Sequence, residues 1–267
     1  MIADAKSDDP PGRNETGSCV VAPVRDPDAR SKAIALGHAI ATARDTELCI
    51  AGATGGSTEL AETHRTDCRV EPTAVPIGDR RFEQVASRHE PAAIIIGRER
   101  GGTLVSELLA DPAVSLANAT GADVLTVGSR GAFDSVASVL APIAAGPHTP
   151  VAVEAACAIA RAYDAAVDLF HVADERSDRG EKLLSALHDR CLTGDLAGRC
   201  SIEEPSIDTW LYDGEDASTA IAEQSAYYDV VVMGAPRSSR LERIVFGSTA
   251  RDVQRRADAP VVVAHSG

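Results

Sequence analysis

The chain repeats itself. Ala22-Pro23, closing an apolar run, recurs as Ala141-Pro142, and Ala39-Ile40-Ala41-x-Ala43-x-Asp45 recurs as Ala158-Ile159-Ala160-x-Ala162-x-Asp164, both at an offset of 119 residues. Farther along the offset becomes 137, where Gly97 aligns with Gly234, Leu104 with Leu241, Ala113 with Ala250, Ala122 with Ala259 and Val124 with Val261. A duplication of this length constrains the fold strongly, because whatever packs in the first copy must pack again in the second. The jump in offset assigns the second copy 18 extra residues between its first helix and its fourth strand, enough for about five helical turns. Residues 175–192 hold that material, with Leu183, Leu184, Leu187 and Cys191 at helical spacing. Residues 55–67 of the first copy begin on two glycines and are polar, so they read as a loop or one short helix.

Within each copy, short apolar runs alternate with segments of helical period. The first copy gives strands at 19–24, 47–53, 69–75, 92–97 and 123–128 and helices at 29–44, 80–89 and 112–119. The second gives strands at 136–143, 167–173, 201–212, 230–233 and 261–263 and helices at 149–163, 175–192, 216–226 and 250–257. Alternation of this kind specifies an α/β fold with parallel strands and right-handed crossovers. Residues 128–134, polar and glycine-bearing, set the boundary between a domain at 18–130 and another at 135–267, and residues 1–17 are expected to be a disordered tail.

Composition narrows the function classes. The chain has 267 residues, 44% hydrophobic but only 3% aromatic, so its core is built from Ala, Val, Ile and Leu. No apolar run approaches the ~18 residues a membrane helix needs, and no membrane insertion is expected. A formal net charge of -14 argues against nucleic acid and anionic lipid as partners, since both require a basic surface. With only three lysines, Lys6, Lys32 and Lys182, the acidic composition resembles that of proteins from salt-accumulating cells; an ordinary acidic protein is the alternative. Six cysteines without a Cys-x-x-Cys pair are expected as structural thiols in a reducing cytoplasm. Seven scattered histidines give no metal site.

The unit at 229–265 carries the chemistry. Strand Val230-Val231-Val232-Met233 closes on Gly234, a twelve-residue polar loop follows, and Gly247-Ser248-Thr249 leads into a helix that Pro260 stops before Val261-Val262-Val263. Small residues at a helix start leave backbone N–H groups uncovered where the helix dipole contributes about half a positive charge, so an anion binds well there. Thr249 with Asp252 also fits a capping box, which would make the turn simply a well-capped helix start.

Taken whole, this unit resembles the universal stress protein family, whose signature glycines and Gly-Ser/Thr turn wrap the ribose and phosphates of ATP. Gly234, Gly247 and Ser248 match that signature, and Arg237 stands at its second glycine. The resemblance implies two tandem five-stranded parallel-sheet sandwiches, akin to universal stress proteins and adenine nucleotide alpha hydrolases. Their strand order is 3-2-1-4-5, with a crevice between strands one and four. Family dimers pair through their last strands, so residues 123–128 are expected to pair with 260–265, making the chain its own pseudo-dimer; further homo-oligomerisation stays open. The implied ligand is an adenine nucleotide, ATP or AMP. Its adenine meets the backbone at Val172 in Phe170-His171-Val172, its sugar lies near Gly234, and its phosphates sit on Gly247, Ser248 and Thr249, with Arg237 beside them.

Two departures from the family matter. Ala144 falls where the family has an adenosine-binding aspartate, and the first copy has Ala110-Asp111-Pro112 at the phosphate turn, where the carboxylate repels phosphate. Arg237, Arg240, Arg243 and Arg251 surround the second-copy turn and either hold an anion or pair with neighbouring acids such as Glu242 and Asp252. No nucleophile with a base, no Gly-x-x-x-x-Gly-Lys-Ser/Thr and no Gly-x-Ser-x-Gly is present, and His171 reads as a packed residue, so no enzyme activity is expected. Three functions stay open, the first two being a cytoplasmic stress protein that binds an adenine nucleotide in its C-terminal half and a nucleotide-free interaction module regulating a transporter or kinase. A slow nucleotide hydrolase is a third.

Overall fold

A computed structural model describes residues 18–22, 26–51, 68–71, 91–98, 112–173, 178–193, 206–235 and 249–267. Among these residues ten strands follow in order: β1 Cys19–Val21, β2 Leu48–Ala51, β3 Cys68–Glu71, β4 Ala93–Gly97, β5 Asp123–Val127, β6 Ser138–Pro142, β7 Ala166–Ala173, β8 Ile207–Asp213, β9 Val230–Gly234 and β10 Val261–His265. Among the described residues the helices are α1 Pro27–Arg44, α2 Pro112–Thr120, α3 Thr149–Tyr163, α4 Asp178–Thr193, α5 Ala217–Gln224 and α6 Thr249–Arg256, with a 3-10 turn at Ser225–Tyr227. The expected tail at 1–17, the link at 55–67 and the helix at 80–89 lie outside the described residues.

All ten strands join one sheet, ordered β3-β2-β1-β4-β5-β10-β9-β6-β7-β8. Each half runs 3-2-1-4-5 with parallel neighbours, and the halves meet where β5 and β10 pair antiparallel, Val127 opposite Val262 and Val124 opposite His265. Strands buried on both faces read as unbroken apolar runs. Ala93-Ile94-Ile95-Ile96-Gly97 and Val261-Val262-Val263-Ala264-His265 are both buried throughout.

The two faces of the sheet are packed differently. On one, α1 and α3 lie side by side over a single core that crosses the junction, containing Leu36, Ile40, Ile95 and Leu125 from the first half and Val139, Ile159, Val262 and Ala264 from the second. On the other, the core is split: α2 covers Ile94, Ile96 and Val124, while α5 and α6 cover Leu140, Phe170, Val231 and Val263.

Where α1 meets α3, one arginine holds three elements together. Arg44 Nε donates to Glu154 Oε1 at 2.7 Å, Nη2 donates to Glu154 Oε2 at 3.1 Å and to Asp123 Oδ2 at 2.7 Å, and Nη1 donates to the Ala92 carbonyl at 2.9 Å. All three charged side chains are buried. Burial works to lower the pKa of Arg44, but the two carboxylates outweigh it and hold the guanidinium above its ordinary range. The duplicated aspartates do the same local job twice. Asp45 and Asp164 each cap a helix C-terminus in the left-handed conformation, with φ of 51° and 57°.

Candidate functional site

A cavity of about 400 Å³ opens at the carboxyl ends of β6, β7 and β9. Its floor is the β6 end, Pro142 to Gly146, and the β9 end, Met233 to Ala235; these are strands one and four of the second half, flanking the reversal in strand order where open α/β sheets bind ligands. Phe170, His171 and Val172 of β7 form one wall, Ala217 and Ile221 of α5 another, and the starts of α3 and α6 close the rest. Ala217 and Ile221 face it together because four residues make about one helical turn.

Among the described residues the polar groups of Thr149, His171 and His148 at the cavity are fixed by hydrogen bonds. Thr149 Oγ1 donates to the Ala144 carbonyl. His171 Nδ1 lies 2.7 Å from the Ile143 carbonyl; since a carbonyl only accepts, the imidazole carries its proton on Nδ1. Gly180 of α4 packs on the same ring, where a Cβ would stand 2.8 Å from Cδ2. The His171 imidazole is therefore held by packing on one side and a hydrogen bond on the other. His148 Nδ1 accepts from the Ser266 N–H at 2.9 Å, and burial lowers its pKa while Asp123 opposes the shift. This keeps the ring an acceptor.

Val172, Gly234 and Thr249, three of the residues expected to bind a ligand, line this one cavity, and so does Ala144. Arg237, Gly247 and Ser248 lie outside the described residues. Gly234 also lies close against the start of α3, since a Cβ there would stand 3.2 Å from the His148 backbone carbon. Thr249 is the first described residue of α6, and Asp252 stands in the first described turn of that helix. Arg251 is exposed. Ile143, His148, Thr149 and the α5 residues were not singled out from the sequence, because nothing local marks them; the crossover brings them to the strand ends.

Residues 135–265 match the family described as the universal stress protein family. No curated protein matches the sequence. Among solved structures, the chain is similar to a universal stress protein from Archaeoglobus fulgidus DSM 4304, at 14% identity, TM-score 0.59, covering 96% of this chain and 99% of that one. It is also similar to the cytoplasmic domain of a prokaryotic cation chloride cotransporter, at 11% identity, TM-score 0.64 and 93% and 95% coverage. A third similar structure is a putative universal stress protein from Pseudomonas aeruginosa UCBPP-PA14, at 15% identity, TM-score 0.52 and 93% coverage of both chains. These likenesses concern the fold. The cavity lies wholly inside the matched segment, and residues 135–265 form a domain of the universal stress protein family.

Proposed function

We propose that this chain is a tandem universal stress protein, with domains at 18–130 and 135–267, and that the second binds one adenine nucleotide, ATP or AMP, as a regulatory ligand without turning it over. The observation that carries this reading is the cavity itself. Its volume suits a small ligand, its walls offer apolar surface for a base, and Thr249 and Ala250 of α6 line it, on the helix that follows the Gly247-Ser248-Thr249 turn, a sequence suited to phosphate. In this reading the base lies by Val172, the sugar by Gly234, and the phosphates on Gly247, Ser248 and Thr249 with Arg237 alongside. The first domain is structural in this reading, its sequence carrying Ala110-Asp111-Pro112 where the second has Gly247-Ser248-Thr249. The protein works in the cytoplasm of a salt-accumulating cell, as its acidic, lysine-poor composition supports.

Mass spectrometry of small molecules released from the native purified protein tests this directly, together with a Ser248→Asp variant that copies the first half. Co-purified ATP or AMP, lost in Ser248→Asp, is the expected result; nucleotide retained in that variant contradicts the assignment of the phosphate turn. A second reading, a nucleotide-free module that regulates a transporter or kinase, is favoured by Ala144, whose methyl group offers no hydrogen bond where the family places a carboxylate.

A further inference from the structure

Strand β8 is the outermost strand of the sheet, paired with β7 on one side and with no strand among the described residues on the other. The direction of its free edge follows from two bonds. Val167 N–H donates to the Ser206 carbonyl and Gly214 N–H donates to the Ala173 carbonyl. In a parallel ladder this puts the even-numbered residues of β8 in register with β7 bonds and turns the N–H and C=O of Thr209 and Leu211 outward.

The side chains of this strand are also open. Asp208, Trp210 and Tyr212 stand opposite Asp168, Phe170 and Val172 of β7 and so share the face that α5 and α6 cover farther in. At β8 that cover has ended: Trp210 is 55% exposed and Tyr212 39% exposed, the Tyr212 ring lying 5.8 Å from that of Phe170. Exposed aromatic residues on an edge strand invite association, and proteins normally protect such edges. Here the surrounding charge is one-sided. From residue 206 to 216 the chain carries Asp208, Asp213, Glu215 and Asp216 and no basic residue, all four acids exposed. A second copy is disfavoured, since each brings the same acids and a net charge of -14.

We infer that the β8 edge is a docking site for an extended basic segment of another protein, one that adds a strand to the sheet and places Lys or Arg side chains near Asp208 and over Trp210. Outward backbone groups of Thr209 and Leu211 supply the ladder. The acids and the Trp210 face supply the preference for cations. This inference uses no part of the cavity, so it stands or falls separately from nucleotide binding.

Trp210 is the chain's one tryptophan and reports on its own surface. The full chain is titrated with an end-blocked peptide of alternating Lys and Val, and its fluorescence followed; an alternating Glu and Val peptide is the control. The expected result is a saturable change with the basic peptide alone, weakened about tenfold or more by Thr209→Pro, which removes an outward N–H without touching the β7 ladder. Asp208→Asn weakens it similarly and serves as the test if the proline variant does not fold. No saturable change, equal response to the acidic peptide, binding unaffected by either variant, or a dimer by sedimentation that Thr209→Pro abolishes would each overturn the inference.

Discussion

Asp45 and Asp164 are the non-glycine residues with positive φ among those described, and both come from the duplicated motif. An L-residue in this conformation costs about 1–2 kcal/mol, less for Asp and Asn, whose side chains bond locally. Asp164→Val should therefore lower the unfolding free energy by about 1–2 kcal/mol, whereas Asp164→Gly should not lower it; urea titration of both checks this. Arg44 is the residue with most at stake. Arg44→Met strands the buried carboxylates of Asp123 and Glu154 and should cost about 3–5 kcal/mol, because an uncompensated buried charge is far worse than a missing pair. A loss below about 1 kcal/mol, the range of an exposed ion pair, would show that water reaches the site. Neither role was visible in the sequence. The repeat marked Asp45 and Asp164 as equivalent, but Arg44 aligns with Tyr163 and Glu154 with Ala35, so the ionic node is absent from the repeat.

Helix α5 shows how an element is fixed at its start. Asp216 Oδ1 accepts from the N–H groups of Ser218 and Thr219, and both hydroxyls donate to the same carboxylate. Hydrogen bonds from Thr219 first, then Ser218, pull its pKa down from 3.8 to about 2. The folded value lies below the unfolded one, so the contribution is present above the ordinary value of 3.8 and is lost as pH falls from there towards about 2. Thr219→Val should move the Asp216 titration back up towards its ordinary value, as read by carboxyl NMR; an unmoved titration would mean that Thr219 does not set it. Elements of this kind were legible to within a few residues, since α3 begins and ends where the apolar period does and α4 occupies the insertion announced by the change of offset. The ends that differ have local causes: the expected 216–226 helix stops at Gln224, where the backbone tightens into a 3-10 turn and Ser225 Oγ donates to the Ala222 carbonyl.

At the scale of the molecule, the strand order and the β5–β10 junction followed from the repeat and the family resemblance, while the cavity's outline did not. Residues 142–149, 170–172, 217 and 221, 233–235 and 249–250 are far apart in sequence, and only the crossovers bring them to one sheet end. The charge of the whole chain leads to a separate expectation. Forty acidic against 26 basic residues repel one another at low ionic strength, so the thermal unfolding midpoint should rise from low to molar potassium chloride as screening takes hold; an unchanged midpoint would remove the salt-adapted reading. The central claim, one nucleotide site in the second half, is tested most directly by calorimetric titration of the full chain with ATP, beside Ala144→Asp. Wild type should bind with one site per chain, and the variant, which returns a hydrogen-bonding carboxylate to the β6 end of the cavity, should bind more tightly by about 1–3 kcal/mol, a factor of roughly 5 to 150. Two sites per chain, or no heat of binding from either protein, would contradict it.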